Sequence, residues 1–184
     1  MDTRLSVFFT KAIGILLLSL IVGGLVFGII MFVRSMIKLK KQSPKSVKYG
    51  FLIILCVFIA AASWIFNMGW IRLIFTLFAF PVVYTAFFLI VNSKALPRLL
   101  LSVKLKIYTL LSCATYLLSF LFLPDGGDYG PMYVLFGLIR NDIFVDISYI
   151  LCEISFAAFV LVSVFQIKEI VKVWKSENAQ TEIK

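Results

Sequence analysis

The chain contains no histidine. That absence removes imidazole metal ligands, imidazole general bases and the Ser-His and Cys-His nucleophile pairs. Acids are scarce too, nine Asp and Glu against 18 Lys and Arg. The three cysteines, Cys56, Cys113 and Cys152, each sit inside an apolar run, and none belongs to a CxxC pair. Core thiols are therefore expected, not a disulfide framework. There is no glycine-rich phosphate loop, because Gly23 and Gly24 lie inside an apolar run. Repeats, low-complexity segments and alternating barrel-type strands are also missing. Asp142 and Asp146 fall one turn apart on one helix, a poor match to two facing acids sharing a proton. No imidazole or thiolate stands ready to complete a transition-metal site with them and Glu153. The expectation is a protein that is not an enzyme and carries no cofactor or metal.

What the chain has in excess is apolar surface. Hydrophobic residues make up 62 % of its 184 positions and charged residues 15 %, with a mean hydropathy of +1.05. Soluble domains run near 45–50 % apolar and about 25 % charged. A soluble core of this size cannot bury the difference, so most of it must face lipid or other membrane helices. Five runs approach the length needed to cross a ~30 Å hydrocarbon core at 1.5 Å per residue. They are residues 12–33, 49–66, 71–91, 107–123 and 143–167. Unpaired backbone groups are not tolerated in lipid, so each run is read as a helix. The first follows Arg4 and Lys11, exceeds a signal-peptide core and ends without a small-x-small site, so it is read as an uncleaved span. The expected fold is all-α: a polytopic five-helix transmembrane bundle, one domain over residues 1–175, with a polar tail at 176–184.

The net charge of +9 and pI near 9.6 would point to nucleic acid in a soluble protein. Here the charge sits in short connections between apolar runs, so the expected partner is the bilayer, through anionic headgroups. Residues 34–48 hold Arg34, Lys38, Lys40, Lys41, Lys45 and Lys48 with no acid. Residues 92–106 hold Lys94, Arg98, Lys104 and Lys106, and the tail adds Lys168, Lys172, Lys175 and Lys184. Five crossings place these fourteen on one side. Arg4, Lys11, Arg72 and Arg140 fall on the other with Asp2, Asp125, Asp128 and Asp142. The positive-inside rule then puts the amino terminus outside and the carboxyl terminus in the cytoplasm. Trp64, Trp70, Tyr129 and Tyr133 fall at the outer interface in this frame, and Tyr49, Tyr108 and Trp174 at the inner one.

Several features are candidates for more than span formation. Ser19, Gly23, Gly24 and Gly28 form small-xxx-small pairs on the first run, a seam for a second copy or for packing within the bundle. Ala60, Ala61, Ala62 and Ser63 give the second run a similar surface, so these two helices are expected to pair. Pro81 lies mid-way along the third run, where it should kink the helix, with Thr76, Tyr84 and Thr85 near to satisfy freed carbonyls. Residues 131–139 are too short to span and should lie in the interface or re-enter it. Residues Arg140, Asn141 and Asp142 offer a helix cap.

The main candidate site is a stripe. Asp142, Asp146, Tyr149 and Glu153 recur at intervals of four, three and four, which puts them on one helical face. One reading is an outward-facing carboxylate path for a cation or a proton, ending at Glu153. The other is structural: Asp142 caps the helix, Asp146 favours its dipole, and Glu153 pairs with Arg72 or Arg140. The function expected is a small binding or accessory protein, or an immunity or resistance protein, of a bacterial cytoplasmic membrane. It would work with a larger membrane complex or as a homo-oligomer. The alternative is an oligomeric ion or small-solute transporter using the acidic stripe.

Overall fold

A computed structural model describes residues 3–43, 46–67, 69–126 and 132–182, with backbone alone for 3–18, 42 and 180–182. The side chains of Arg4 and Lys11, and residues Asp2, Lys45, Asp128, Tyr129 and Lys184, fall outside this description. The described chain is helical, in the order α1 (Thr3–Gln42), α2 (Val47–Phe66), α3 (Trp70–Leu77), α4 (Phe80–Ala95), α5 (Val103–Leu121) and α6 (Asp142–Glu182). A 3-10 turn, Leu96–Arg98, follows α4.

Among the described residues, four stretches are long and apolar enough to cross a membrane: Ser19–Lys41, Val47–Phe66, Phe80–Arg98 and Asp142–Ala179. The run at 107–123 lies on α5, which is not among them. Lys104 and Lys106 open that helix, and its buried face carries Thr109, Ser112 and Ser119. The two lysines and those hydroxyls together lower the hydropathy of α5, whose hydroxyl face is turned to other helices. It packs between α2 and α6, and its polar groups bond across. Ser63 donates to the Phe120 carbonyl at 3.1 Å. The Thr85 and Tyr116 hydroxyls meet at 2.8 Å, and Gln166 donates to Thr109 at 3.2 Å and to Asn92 at 3.0 Å. Inter-helix hydrogen bonds of this kind contribute roughly 0.6 kcal/mol each, up to about 1.7. Stacked rings fill the remaining space, led by Phe88 on Tyr116 with centroids 4.0 Å apart.

The third run is not one kinked helix. It breaks at Ala79, whose φ of 53° is left-handed, and Pro81 sits in the first turn of α4. Proline has no amide to give and its ring collides with the carbonyl four residues back, so inside a helix it costs about 3 kcal/mol and kinks or breaks it. In the first turn neither matters. The break also turns the wall of the bundle: the Phe75 and Phe80 rings lie 5.2 Å apart, although a five-residue step on an unbroken helix would put them on different faces.

The expected pairing of the first two helices is also corrected. α1 packs chiefly against α4 and touches α2 only slightly. Of the four seam residues, Gly28 makes the close approach. A Cβ there would lie 3.4 Å from the Ala86 carbonyl oxygen and 3.5 Å from Ile90 Cγ1. At Gly23 and Gly24 it would meet nothing within 4 Å, and Ser19 lies exposed. Gly28→Leu should therefore overpack the α1–α4 contact, by about 1–3 kcal/mol. Gly24→Leu should leave the melting temperature of the purified protein unchanged.

Residues 132–139 form a turn and not a helix. Tyr133 pairs with Asp125, and Val134 with Ile139, in antiparallel bridges around a tight turn. Leu135, Phe136 and Gly137 all have positive φ there, and Val134 is wholly buried. The turn closes one end of the bundle. Asn141 caps α6, accepting the Ile143 amide at 3.0 Å, so the cap is Asn141 and not Asp142.

Candidate functional site

The bundle has two chemically different ends. At one, α2, α3, α5 and the start of α6 meet around Arg72 and Asp125, both with no exposed surface. Arg72 does not reach out to the stripe, as a pairing with Glu153 would require. Its guanidinium donates to the carbonyls of Asn67 at 2.7 Å, Phe120 at 3.0 Å and Leu123 at 2.8 Å. These carbonyls belong to the carboxyl-terminal ends of α2 and α5, where helix carbonyls lack partners and the dipole is negative. One arginine thus caps two helices. Trp64 covers it, with the guanidinium 5.7 Å from the ring centroid. The indole donates to Thr76 at 2.9 Å, and Thr76 donates to the Arg72 carbonyl at 2.7 Å.

Asp125 does the complementary job. Its carboxylate accepts the amides of Gly69 at 3.1 Å, Ile71 at 3.1 Å and Arg72 at 2.9 Å. These are the free donors at the start of α3, so a residue more than fifty positions away caps that helix. It also accepts the Gly126 amide at 2.8 Å. Gly69 is required by space: a Cβ there would strike the Asp125 carboxylate. Asp125 and Asn67 were missed as site residues. The available signal was a lone arginine opening an apolar run with a lone aspartate just past another.

Beside this knot lies a cavity of about 370 Å³. Its wall includes Trp64 from α2, Phe75 from α3, Phe80 and Tyr84 from α4, Phe120 from α5, and Tyr149, Cys152, Glu153 and Phe156 from α6. The structure thus splits the acidic stripe. Tyr149 and Glu153 line the cavity, whereas Asp142 and Asp146 do not. All three carboxylates are exposed. The buried face of α6 carries Val145, Ser148, Ser155, Phe159, Ser163 and Gln166, and the stripe lies about a third of a turn round from it. The expected pairing of Glu153 with Arg72 or Arg140 is not seen. Among the described residues the ion pair present is Arg98 with Glu177, at 2.9 Å.

That pair belongs to the other end. Leu39, Leu96, Leu99 and Leu105, all with no exposed surface, seal the bundle there. Ser102 donates to Glu169 at 2.8 Å, which with Arg98 and Glu177 ties the last turns of α6 to the connection after α4. Lys38, Lys40, Lys41, Lys94, Lys104, Lys168 and Lys172 surround this end and are exposed. The basic connections expected on one side are gathered at one pole, and the Arg72–Asp125 knot occupies the opposite one.

Long apolar helices with lipid-length exposed faces and a hydroxyl-bonded interior define an integral membrane protein of the helical class. No protein-family model, curated protein or solved structure matches the chain.

Proposed function

We propose that the chain is a non-enzymatic accessory or binding protein of a bacterial cytoplasmic membrane, crossing it five times with its amino terminus outside. In this reading it docks a membrane partner through the uncovered face of α6. One observation carries the proposal: Glu153 is exposed on a membrane helix, about 16 Å along it from Asp142. A carboxylate left to lipid at that depth costs at least ~2.5–3.5 kcal/mol on insertion scales. A partner that covers the face and meets the charge removes the cost. The neighbouring surface fits docking, since Ile150 and Ile154 are each 58 % exposed. An immunity or resistance protein, which must hold an incoming membrane-active agent, needs the same kind of surface. The permeation alternative has one requirement of its own. Asp142 and Asp146 lie outside the cavity and all three carboxylates are exposed, so only a ring of copies can enclose the row.

Photo-reactive residues at Ile150 and Ile154, with Phe58 on α2 as a control, test this in native membranes. The expected result is a protein adduct of discrete mass from α6 alone, at least tenfold weaker in a Glu153→Leu background. An adduct of twice the chain mass identifies a second copy. Lipid adducts alone at all three positions would contradict the docking role.

A further inference from the structure

The cavity beside Glu153 is more specific than an uncovered face. Phe75, Phe80, Tyr84, Phe120 and Phe156 share its wall with one carboxylate, Glu153. Its volume of about 370 Å³ falls within the ~300–1,000 Å³ of small-molecule sites, which are mostly apolar with a few placed polar groups. The left-handed break at Ala79 sets Phe75 against Phe80. Phe80 stacks on Tyr84 at 5.5 Å and reaches Phe156 at 5.9 Å. The rings therefore brace one another across three helices.

Ring faces carry negative potential and attract cations, most strongly where water is excluded. A carboxylate in the same wall adds to that potential. An anion would be repelled by both, and a neutral ligand would leave Glu153 without a counter-charge. Arg72 lies behind Trp64, its guanidinium bonded to three backbone carbonyls; its charge reaches Cys152 in the wall and is offset in part by Asp125.

We propose that this cavity binds a hydrophobic organic cation, a quaternary ammonium or phosphonium bearing aromatic groups, with Glu153 as its counter-ion. The proposal rests on the docking reading in one respect: both require Glu153 to meet an opposite charge. Here a small molecule supplies it, and no protein partner is needed.

The test is equilibrium binding of radiolabelled methyltriphenylphosphonium to the purified full-length protein in lipid nanodiscs, with empty nanodiscs as background. Triphenylphosphine oxide serves as a neutral competitor of similar size. One saturable site is expected. Glu153→Gln should weaken it at least tenfold and Phe156→Leu at least threefold, both at unchanged melting temperature. The oxide should compete at least tenfold more weakly than unlabelled cation. The proposal is overturned by the absence of saturable binding, by unchanged affinity in Glu153→Gln, or by equal competition from the oxide. If Glu153→Gln does not fold, unchanged affinity in Phe156→Leu overturns it. The purified protein carries no partner, so a failure here leaves the cross-linking result standing, and the reverse also holds.

Discussion

Asp125→Ala is expected to be among the most damaging single substitutions in the chain, at about 3–5 kcal/mol of folding stability. The side chain is wholly buried and accepts four backbone amides. Its removal strands those donors, each costing about 1–3 kcal/mol when buried and unpaired. It also removes the negative charge nearest the buried Arg72. Asp125→Asn keeps one acceptor oxygen but turns an amide donor toward other donors, so it should recover less than half of the loss. Thermal unfolding of purified protein in one fixed detergent checks both. A melting temperature within 2 °C of wild type for Asp125→Ala would show that the knot does not hold the helices together.

The second large effect is at Arg72. Arg72→Leu takes a donor from three carbonyls at the ends of α2 and α5, of which that of Phe120 keeps the Ser63 hydroxyl, and leaves Asp125 without a compensating cation. A loss of about 3–5 kcal/mol is expected. Arg72→Lys should be intermediate, because an ammonium on a flexible stem cannot match a planar fork that reaches three acceptors at once. The two sites act as a unit, so Arg72→Leu with Asp125→Ala should cost at least 1 kcal/mol less than the sum of the singles. Strict additivity would mean that each residue caps its helices independently of the other.

Much of this arrangement was legible in the chain. Long apolar runs fix the helices because lipid leaves the backbone no other partner; α2 and α5 match their predicted runs within four residues at each end, whereas α1 and α6 extend well past theirs. The run at 71–91 was legible as membrane-embedded but not as two helices. Pro81 advertises a disturbance, yet whether a proline bends a helix or restarts one depends on the residues before it. Here Ala79 takes the left-handed conformation, which no propensity announces. The stripe was legible as a period but not as an orientation. Spacing places Asp142, Asp146 and Glu153 together, while the direction they face is set by the hydroxyl-bearing side of α6 that packs on α5. Gln166, wholly buried, belongs to that side, and no spacing in the run marks it. Asp125 was hidden for a different reason. A Pro-Asp-Gly-Gly sequence reads as a solvent-exposed turn, and the amides that make it a cap come from the far side of the bundle.

The lysine-rich pole and the Arg72–Asp125 pole lie at opposite ends of the bundle, and in the proposed orientation the first faces the cytoplasm. A membrane-impermeant maleimide measures that directly. Cysteine is introduced singly at Leu138, 82 % exposed on the turn beside Asp125, and at Lys104, exposed at the start of α5, with Cys152 replaced by Ser. On intact cells the Leu138→Cys protein should be labelled and the Lys104→Cys protein should react only after permeabilisation. Labelling of Lys104→Cys from outside, or protection of Leu138→Cys until the cells are opened, would contradict the account.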